Sequence, residues 1–280
     1  MPGADRASLM RAATQRLRSG GLVAFPTETV YGLGADAFNP AAIERVYELK
    51  GRPAHNPLIV HVADVAMAQR VVAAWTPDAQ KLADAFWPGP LTIVLPRAKS
   101  LPDIVTAGGP TVGVRQPAHP LTLELLTTFD GPLVGPSANP SGSVSPTTAD
   151  HVRAAFSEQD VLTLDGGPCA RGIESTVVSL VENPSRVLRQ GFVSPADIER
   201  ALGRPVVVGA ETPTARSDSG AALSSPGQLA RHYAPRTPAH IFEASEWPAI
   251  MAAQTAPVIV LTHRRARDVF PHHRLLRLPQ

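Results

Sequence analysis

Short apolar runs alternate along this chain with longer stretches whose apolar residues recur every three or four positions. The runs at 22–25, 58–62, 91–95, 112–115, 133–135, 161–164, 176–180, 187–188 and 206–208 have strand length, are mostly Val, Ile and Leu, and predict buried strands. Helical spacing predicts helices over 6–17, 40–49, 65–74, 78–86, 120–129, 147–156 and 195–202. In the second of these, Ile43, Val46 and Leu49 share one face. Strands and helices interleaved in this way predict an α/β fold, a twisted sheet flanked by helices, and leave parallel and antiparallel pairing open.

Between 209 and 238 the composition shifts to Thr, Ser, Gly, Pro and Ala, with Leu223 and Leu229 as the large aliphatics, which predicts a linker. Beyond it, His240-Ile-Phe-Glu243, a helical stretch at 247–253 and Pro257-Val-Ile-Val-Leu261 predict only part of a second α/β unit. A piece of about 40 residues rarely folds alone, so it is expected to pack on the first domain or to be cut short. The predicted organisation is one full domain at 5–208, a linker at 209–238 and a partial unit at 239–280.

Composition narrows the class. With 44% hydrophobic and 18% charged residues in 280, the chain is that of a folded, loop-rich globular protein. Twenty-six Lys and Arg against 24 Asp and Glu give a net charge of +2, a near balance that does not imply a nucleic-acid partner. Arg264, Arg265, Arg267, Arg274 and Arg277 cluster near the end among His263, His272 and His273. Without interleaved aromatics that run reads as a solvated face rather than an RNA platform. A single cysteine forms no internal disulfide, the arginines at 6, 11, 16 and 18 do not suit a signal peptide, and no apolar run approaches the roughly 18 residues of a membrane span. A cytoplasmic protein with no membrane role is expected. Cys169, in Gly166-Gly-Pro-Cys169, reads as a loop or buried thiol without chemistry.

Candidate chemistry concentrates after the first strand. Pro26 removes a ladder donor and ends that strand, leaving Thr27, Glu28 and Thr29 at its tip. Gly32 and Gly34 predict backbone conformations that side chains forbid, and close approach of a ligand to the main chain. Lys50 and Arg52 follow a helix C-terminus, where two cations can complement the helix dipole or meet an anion. The guanidinium fork of Arg52, held before Pro53, suits phosphate or carboxylate oxygens. Ser137, Asn139, Ser141 and Ser145 stand on a Gly/Pro-rich loop leading to Thr147, a candidate N-cap whose helix could turn free N–H groups toward an anion. On spacing alone such a loop reads as a turn. The chain has no Gly-x-x-x-x-Gly-Lys-Ser/Thr and no strand-linked Gly-x-Gly-x-x-Gly, so a nucleotide would need another device.

In order along the chain, Pro26-Thr-Glu-Thr-Val-Tyr-Gly-Leu-Gly34, Lys50-x-Arg52, Asn56-Pro-Leu-Ile-Val-His61, Trp87-Pro-Gly-Pro-Leu-Thr92, Thr111-Val-Gly-Val-Arg115, Pro136-Ser-Ala-Asn-Pro-Ser-Gly142 and Glu174-Ser-Thr-Val-Val178 resemble motifs of the Sua5/YrdC family of threonylcarbamoyl-AMP synthases. Ser225-Pro-Gly-Gln-Leu-Ala-Arg-His-Tyr-Ala-Pro235 is similar to the linker of the longer, two-domain Sua5 type, which lies across the active-site opening. The resemblance implies a YrdC-like fold, an open α/β sheet around a large concave, positively lined cavity. It implies a nucleotidyltransferase that joins L-threonine, bicarbonate and ATP into L-threonylcarbamoyladenylate, releases pyrophosphate, and passes its product to a separate transferase in the N6-threonylcarbamoyladenosine modification of tRNA. Thr29, His61, Arg115 and Ser175 match positions that hold threonine, with Arg115 the natural partner of its carboxylate. Arg52, Asn56, Thr111, Ser137, Ser145 and Arg189 match positions that hold ATP, with Lys50 and Asn139 close by. Lys50 and Arg52 would meet the charge that develops in the reaction. Tyr233 is a candidate ATP contact or an aromatic packing anchor, and His61 could equally cap a core edge, as Thr111 and Ser175 could simply start strands. Mg²⁺ is expected to arrive with the phosphates, with no protein-bound metal or prosthetic group. The resemblance departs at the C-terminus, where the Sua5 domain is usually larger.

Two other functions share this fold. A double-stranded RNA or ribosome-associated binding module would use the same cations on backbone phosphates, but would not need Thr29, His61, Arg115 and Ser175. The carbamoyl-transfer domain of hydrogenase maturation proteins expects zinc-finger cysteines, which one Cys excludes.

Overall fold

The computed structural model describes residues 3–209, 245–253, 259–262 and 274–277. A ten-stranded mixed sheet dominates the first of two compact units, residues 1–234. Its strands are β1 (Leu22–Phe25), β2 (Gly32–Asp36), β3 (Ile59–His61), β4 (Leu91–Pro96), β5 (Thr111–Arg115), β6 (Leu133–Val134), β7 (Val161–Thr163), β8 (Thr176–Ser179), β9 (Arg186–Arg189) and β10 (Val207–Val208). They lie in the order β10-β9-β8-β4-β5-β3-β6-β2-β1-β7, so the sheet stays open, with β10 and β7 at its edges. β1/β7, β3/β5, β4/β8 and β9/β10 pair in parallel, and the other neighbours are antiparallel.

Alternation along β1 divides the core. Leu22 and Ala24 join the larger cluster, with α2 (Pro40–Lys50), α3 (Val65–Gln69), α4 (Pro77–Phe86), α6 (Ala149–Ala155) and α7 (Pro195–Leu202). Val23 and Phe25 point the other way, to a cluster made with α1 (Gly3–Arg18) and α5 (Pro120–Phe129), while Val94, Val177 and Leu188 form a small patch farther along. Between those two patches the second face carries Ile59, His61, Gly113, Arg115 and Gly32, placed by the strand registers, and Gly135, whose N–H donates to Ile59 O at 2.9 Å. The glycines thin the sheet there, and the depression they leave becomes the cleft described below.

Gly32 and Gly34 do not take positive φ values and so are not in the side-chain-forbidden conformations expected of them. They belong to β2, and a Cβ on either would lie 2.7 or 2.9 Å from the Phe25 ring. Their role is steric: they let Phe25 pack across its neighbour strand, where its ring also meets His61 edge-on at 5.3 Å. A strand with two glycines in five residues lacks the apolar alternation that would have revealed it.

α3 ends at Gln69 instead of continuing to 74. Val71 and Val72 drop into the core, and the backbone there joins the sheet margin through Ala73 N–H to Pro96 O (2.8 Å) and Ala98 N–H to Val71 O (2.9 Å). The remaining predicted helices and strands fall within three residues of the predicted ends, α1 differing most by starting at Gly3. The second unit, residues 235–280, shows α8 (Trp247–Ala253) and a parallel pair, β11 (Ile259–Thr262) with β12 (Arg274–Arg277). Arg274 and Arg277, read from the sequence as part of a solvated basic run, are thus residues of a strand. No helix among the described residues is long and apolar enough to cross a membrane.

Candidate functional site

A cleft of about 520 Å³, counting its mouth, opens on the thinned face of the sheet. The end of β1 supplies Thr27 and Thr29 to its wall, β3 supplies Ile59 and His61, β5 Arg115, the loop after β6 Pro136 and Ser137, the segment before β8 Glu174 and Ser175, and β9 Arg189. Arg52 reaches it from beyond α2.

α2 is built to deliver that last residue. Asn39 accepts from Ala42 N–H at its start, and Gly51 closes its end at φ 57°, a left-handed conformation that favours glycine. The chain reverses there, and Arg52 turns its guanidinium onto its own loop. Nε donates to Asn56 O (3.0 Å), and Nη2 to Asn56 Oδ1 and Pro57 O (both 2.7 Å). Asn56 is fully buried as the brace of Arg52 and is not part of the cleft wall.

Lys50 does something different from what its sequence position suggested. It is 3% exposed, shares the buried face of α2 with Ile43 and Val46, and is not part of the cleft wall. Its Nζ donates to the carbonyl oxygens of Ser137 and Asn139, and its own carbonyl accepts from Ser141 N–H at 2.7 Å. Lys50 therefore ties the 136–141 loop to α2 from beneath. Burial, then the Arg52 guanidinium, pull its pKa down to about 7, with Glu174 opposing. Because the unfolded lysine stays protonated up to about 10.5, the unfolded state binds the extra proton between those values. Stability is expected to rise with pH from 7 to 10.5, by up to about 1.4 kcal/mol per unit, and to be lost as pH falls back through that window. Denaturant unfolding of wild type and Lys50→Met across this range checks it: the difference between the two slopes isolates Lys50, and equal slopes would refute the assignment.

Two largely buried carboxylate–guanidinium pairs frame the cleft, with Arg115 the most deeply placed of the four groups. Arg115 Nη2 donates to Glu28 Oε1 (2.6 Å) and Nη1 to Thr29 Oγ1 (3.0 Å). Arg189 bonds Glu174 through Nη1, Ser175 O through Nε (3.1 Å) and Ser175 Oγ through Nη2 (3.1 Å). Ser175 Oγ also meets Thr92 Oγ1 at 2.8 Å, which fixes its hydroxyl at the floor. Burial lowers Arg115 from its usual value and Glu28 counters it, so the guanidinium stays charged at neutral pH. Burial, with Arg115 beside it, holds His61 well below the usual imidazole range, and the ring is neutral. His61 Nδ1, Asn56 Nδ2 and Asn139 Oδ1 are buried without a hydrogen-bond partner.

Of the residues picked from the sequence, Thr29, Arg52, His61, Arg115, Ser137, Ser175 and Arg189 meet in the cleft wall. Lys50, Asn56 and Asn139 lie in the layer behind it, Asn139 with its amide donating to Pro140 O and Ser143 O (both 2.9 Å). Ser145 donates to Glu174 Oε1 at 3.3 Å. Thr111 sits at the far end of β5 from Arg115, outside the wall. Tyr233 lies outside the described residues. The helix after the serine loop starts at Ala149 and not at Thr147, spans seven residues, and is capped by Thr148 accepting from His151 N–H. The sequence alone gives Glu28 and Glu174 no role, although each is a carboxylate beside a threonine or serine at the tip of a buried strand, and the structure pairs them with Arg115 and Arg189. Burial pushes the Cys169 thiol up to about 11, leaving it protonated and inert at neutral pH.

Gly191 holds the Glu174–Ser175 segment in place by absence of a side chain. A Cβ there would lie 2.5 Å from Glu174 O and 2.6 Å from Thr176 N, both backbone atoms that cannot swing aside. Gly191→Ala is expected to cost about 1 to 3 kcal/mol of stability and to displace Ser175 and Glu174 from the cleft. An unchanged unfolding midpoint would contradict this packing.

The open mixed sheet and its glycine-floored cleft, lined by Arg52, Arg115 and Arg189, define an α/β protein with a candidate ligand site on one sheet face. Comparison with known proteins makes this specific. The Sua5/YciO/YrdC family model, described as telomere recombination, matches residues 15–191, and one described as the threonylcarbamoyl-AMP synthase C-terminal domain matches residues 193–276. The chain belongs to the Sua5/YciO/YrdC family. Threonylcarbamoyl-AMP synthases of Pyrococcus abyssi and Bacillus subtilis are 44% and 43% identical to it, over 81% and 83% of this chain and 65% and 66% of their own lengths. The chain thus spans slightly under two thirds of these curated relatives. A crystal structure of P. abyssi Sua5 complexed with L-threonine superposes with a TM-score of 0.83 at 35% identity, covering 97% of this chain and 80% of that one. Escherichia coli YciO, 22% identical with a TM-score of 0.59, covers 66% of this chain and shares the fold.

Proposed function

We propose that this protein synthesises L-threonylcarbamoyladenylate from L-threonine, bicarbonate and ATP with release of pyrophosphate. The observation that carries the reading is the cleft itself: three arginines converge on a pocket whose polar floor suits an amino acid rather than a nucleic-acid backbone, in a chain related to enzymes of that name.

The threonine amine, as its neutral form, attacks bicarbonate; a C–N bond forms, water leaves, and a carbamate results. A carbamate oxygen then attacks the α-phosphorus of ATP, the bond from that phosphorus to the bridging oxygen of the β-phosphate breaks, and pyrophosphate departs. Charge builds on the attacking and leaving oxygens, so positioned cations contribute more than a covalent nucleophile. Arg115, with Thr29, His61 and Ser175 around it, would receive the threonine carboxylate. Arg52 and Arg189, with Ser137, would face the triphosphate. Neutral His61 can accept or donate one hydrogen bond without adding charge beside Arg115.

Mg²⁺ would enter as part of the ATP substrate. Glu28 and Glu174, the carboxylates at the cleft, are each engaged by an arginine, and the described residues contain no group of three or more His, Cys, Asp or Glu able to hold a metal. These residues do not form an oxygen cage for a hard cation. The product is a mixed anhydride of a carbamic and a phosphoric acid, suited as donor to a separate transferase that modifies tRNA. Pyrophosphate release from ATP by the purified protein, with threonine and bicarbonate each supplied or omitted, tests the proposal. Release that needs both is expected; release indifferent to threonine would reject it.

A further inference from the structure

The reaction gives Arg115 a partner but leaves Glu28 without a task. Glu28 is pinned at both carboxylate oxygens: Oε1 accepts from Arg115 Nη2 at 2.6 Å, and Oε2 from the backbone N–H of Ala118 at 2.9 Å. Arg115 is braced at three nitrogens, since Nε donates to Gly89 O (3.2 Å) and Nη1 to Thr29 Oγ1 (3.0 Å) as well. The two side chains are 5% and 12% exposed, in the cleft wall and beside it. A guanidinium carries five N–H groups, so these contacts leave one on each terminal nitrogen for a ligand.

A counter-ion needs only proximity, whereas this carboxylate is also anchored by the backbone N–H of Ala118, three residues beyond Arg115, so that its second oxygen is fixed as well. A long side chain normally loses rotamer freedom when it binds, and bracing it beforehand removes that cost and fixes the direction of its remaining donors. We propose that Glu28 is a positioning residue that holds the Arg115 guanidinium in register for the carboxylate of the amino-acid substrate. The inference rests on the function proposed above, and extends it to a residue that would touch no substrate.

Glutamine at 28 keeps the size but loses the charge, and an amide cannot accept from Arg115 and from Ala118 N–H at both ends. Aspartate keeps the charge and withdraws it by one methylene. Steady-state kinetics and calorimetric threonine binding would be measured for wild type, Glu28→Gln, Glu28→Asp, Arg115→Ala and the double variant Glu28→Gln/Arg115→Ala. Both single Glu28 variants are expected to raise the KM and Kd for threonine about tenfold or more, with the KM for ATP within about twofold of wild type. In the Arg115→Ala background, Glu28→Gln should add nothing further, because it acts through the missing guanidinium. If Glu28→Gln does not fold, Glu28→Asp decides. Wild-type threonine affinity in folded Glu28→Asp, or additive losses in the double variant, would overturn the positioning role while leaving the synthase intact. A wild-type protein that neither binds threonine nor releases pyrophosphate would remove the proposed function and this inference together.

Discussion

Arg52→Ala is expected to lower the rate of pyrophosphate release by about three orders of magnitude, the scale on which cations stabilise phosphoryl-transfer transition states. Arg52 is the cation that α2 and its left-handed Gly51 cap deliver to the cleft, and its fork is oriented by Asn56 and Pro57 before any substrate arrives. Stability should change much less. Each lost hydrogen bond is worth about 1 kcal/mol, and the carbonyl of Asn56 keeps the Tyr47 hydroxyl at 3.0 Å. Arg52→Lys should recover only part of the rate, since a point charge cannot reproduce the fork. Turnover measured beside the unfolding midpoint separates the two effects. A rate within about tenfold of wild type in folded Arg52→Ala would remove Arg52 from the account of the charge.

Lys50→Met is expected to reduce turnover by about two orders of magnitude by a different route, through misplacement of the loop that carries Ser137. The methionine fills the space but leaves the carbonyls of Ser137 and Asn139 without their donor. That loss is offset by removing a cation that burial and Arg52 both disfavour, so stability at pH 7 should move little while the loop loosens. Hydrogen exchange reads the difference: the amide of Ser141, bonded to Lys50 O, and its neighbours in 137–141 should exchange about tenfold faster or more. Protection unchanged in 137–141 would mean that the lysine acts on substrate directly and not through the loop.

These two residues show where the sequence could be read and where it misled. Lys-x-Arg after a helix looks like a pair of presented cations, and Arg52 is one. The helical period already placed Lys50 with Ile43 and Val46, at steps of three and four, on the face that packs inward. Only its charge argued for exposure. Strands with three or more consecutive Val, Ile or Leu, such as those at β3 and β4, were legible because burial on both faces leaves no other pattern. β2 was not, because its glycines are dictated by the Phe25 ring across the sheet, a contact that exists only after folding. α3 was overextended because valines that fit a helical period also fit the sheet margin they join. Within the cleft, Arg52 was legible from its place just after α2, and Arg115 and Arg189 from the family positions they match. Glu28 and Glu174 were not, since their importance lies in pairings with Arg115 and Arg189, 87 and 15 positions away.

Whether one cleft joins three small molecules is tested most directly by following carbon from labelled bicarbonate. Purified protein would be incubated with labelled bicarbonate, ATP and L-threonine, and the products separated. Label is expected in a single compound that also contains threonine and AMP, formed with one pyrophosphate each, and absent when threonine is omitted. Pyrophosphate formed without label in such a compound, or no turnover in a protein that retains double-stranded RNA instead, would contradict the proposed synthesis.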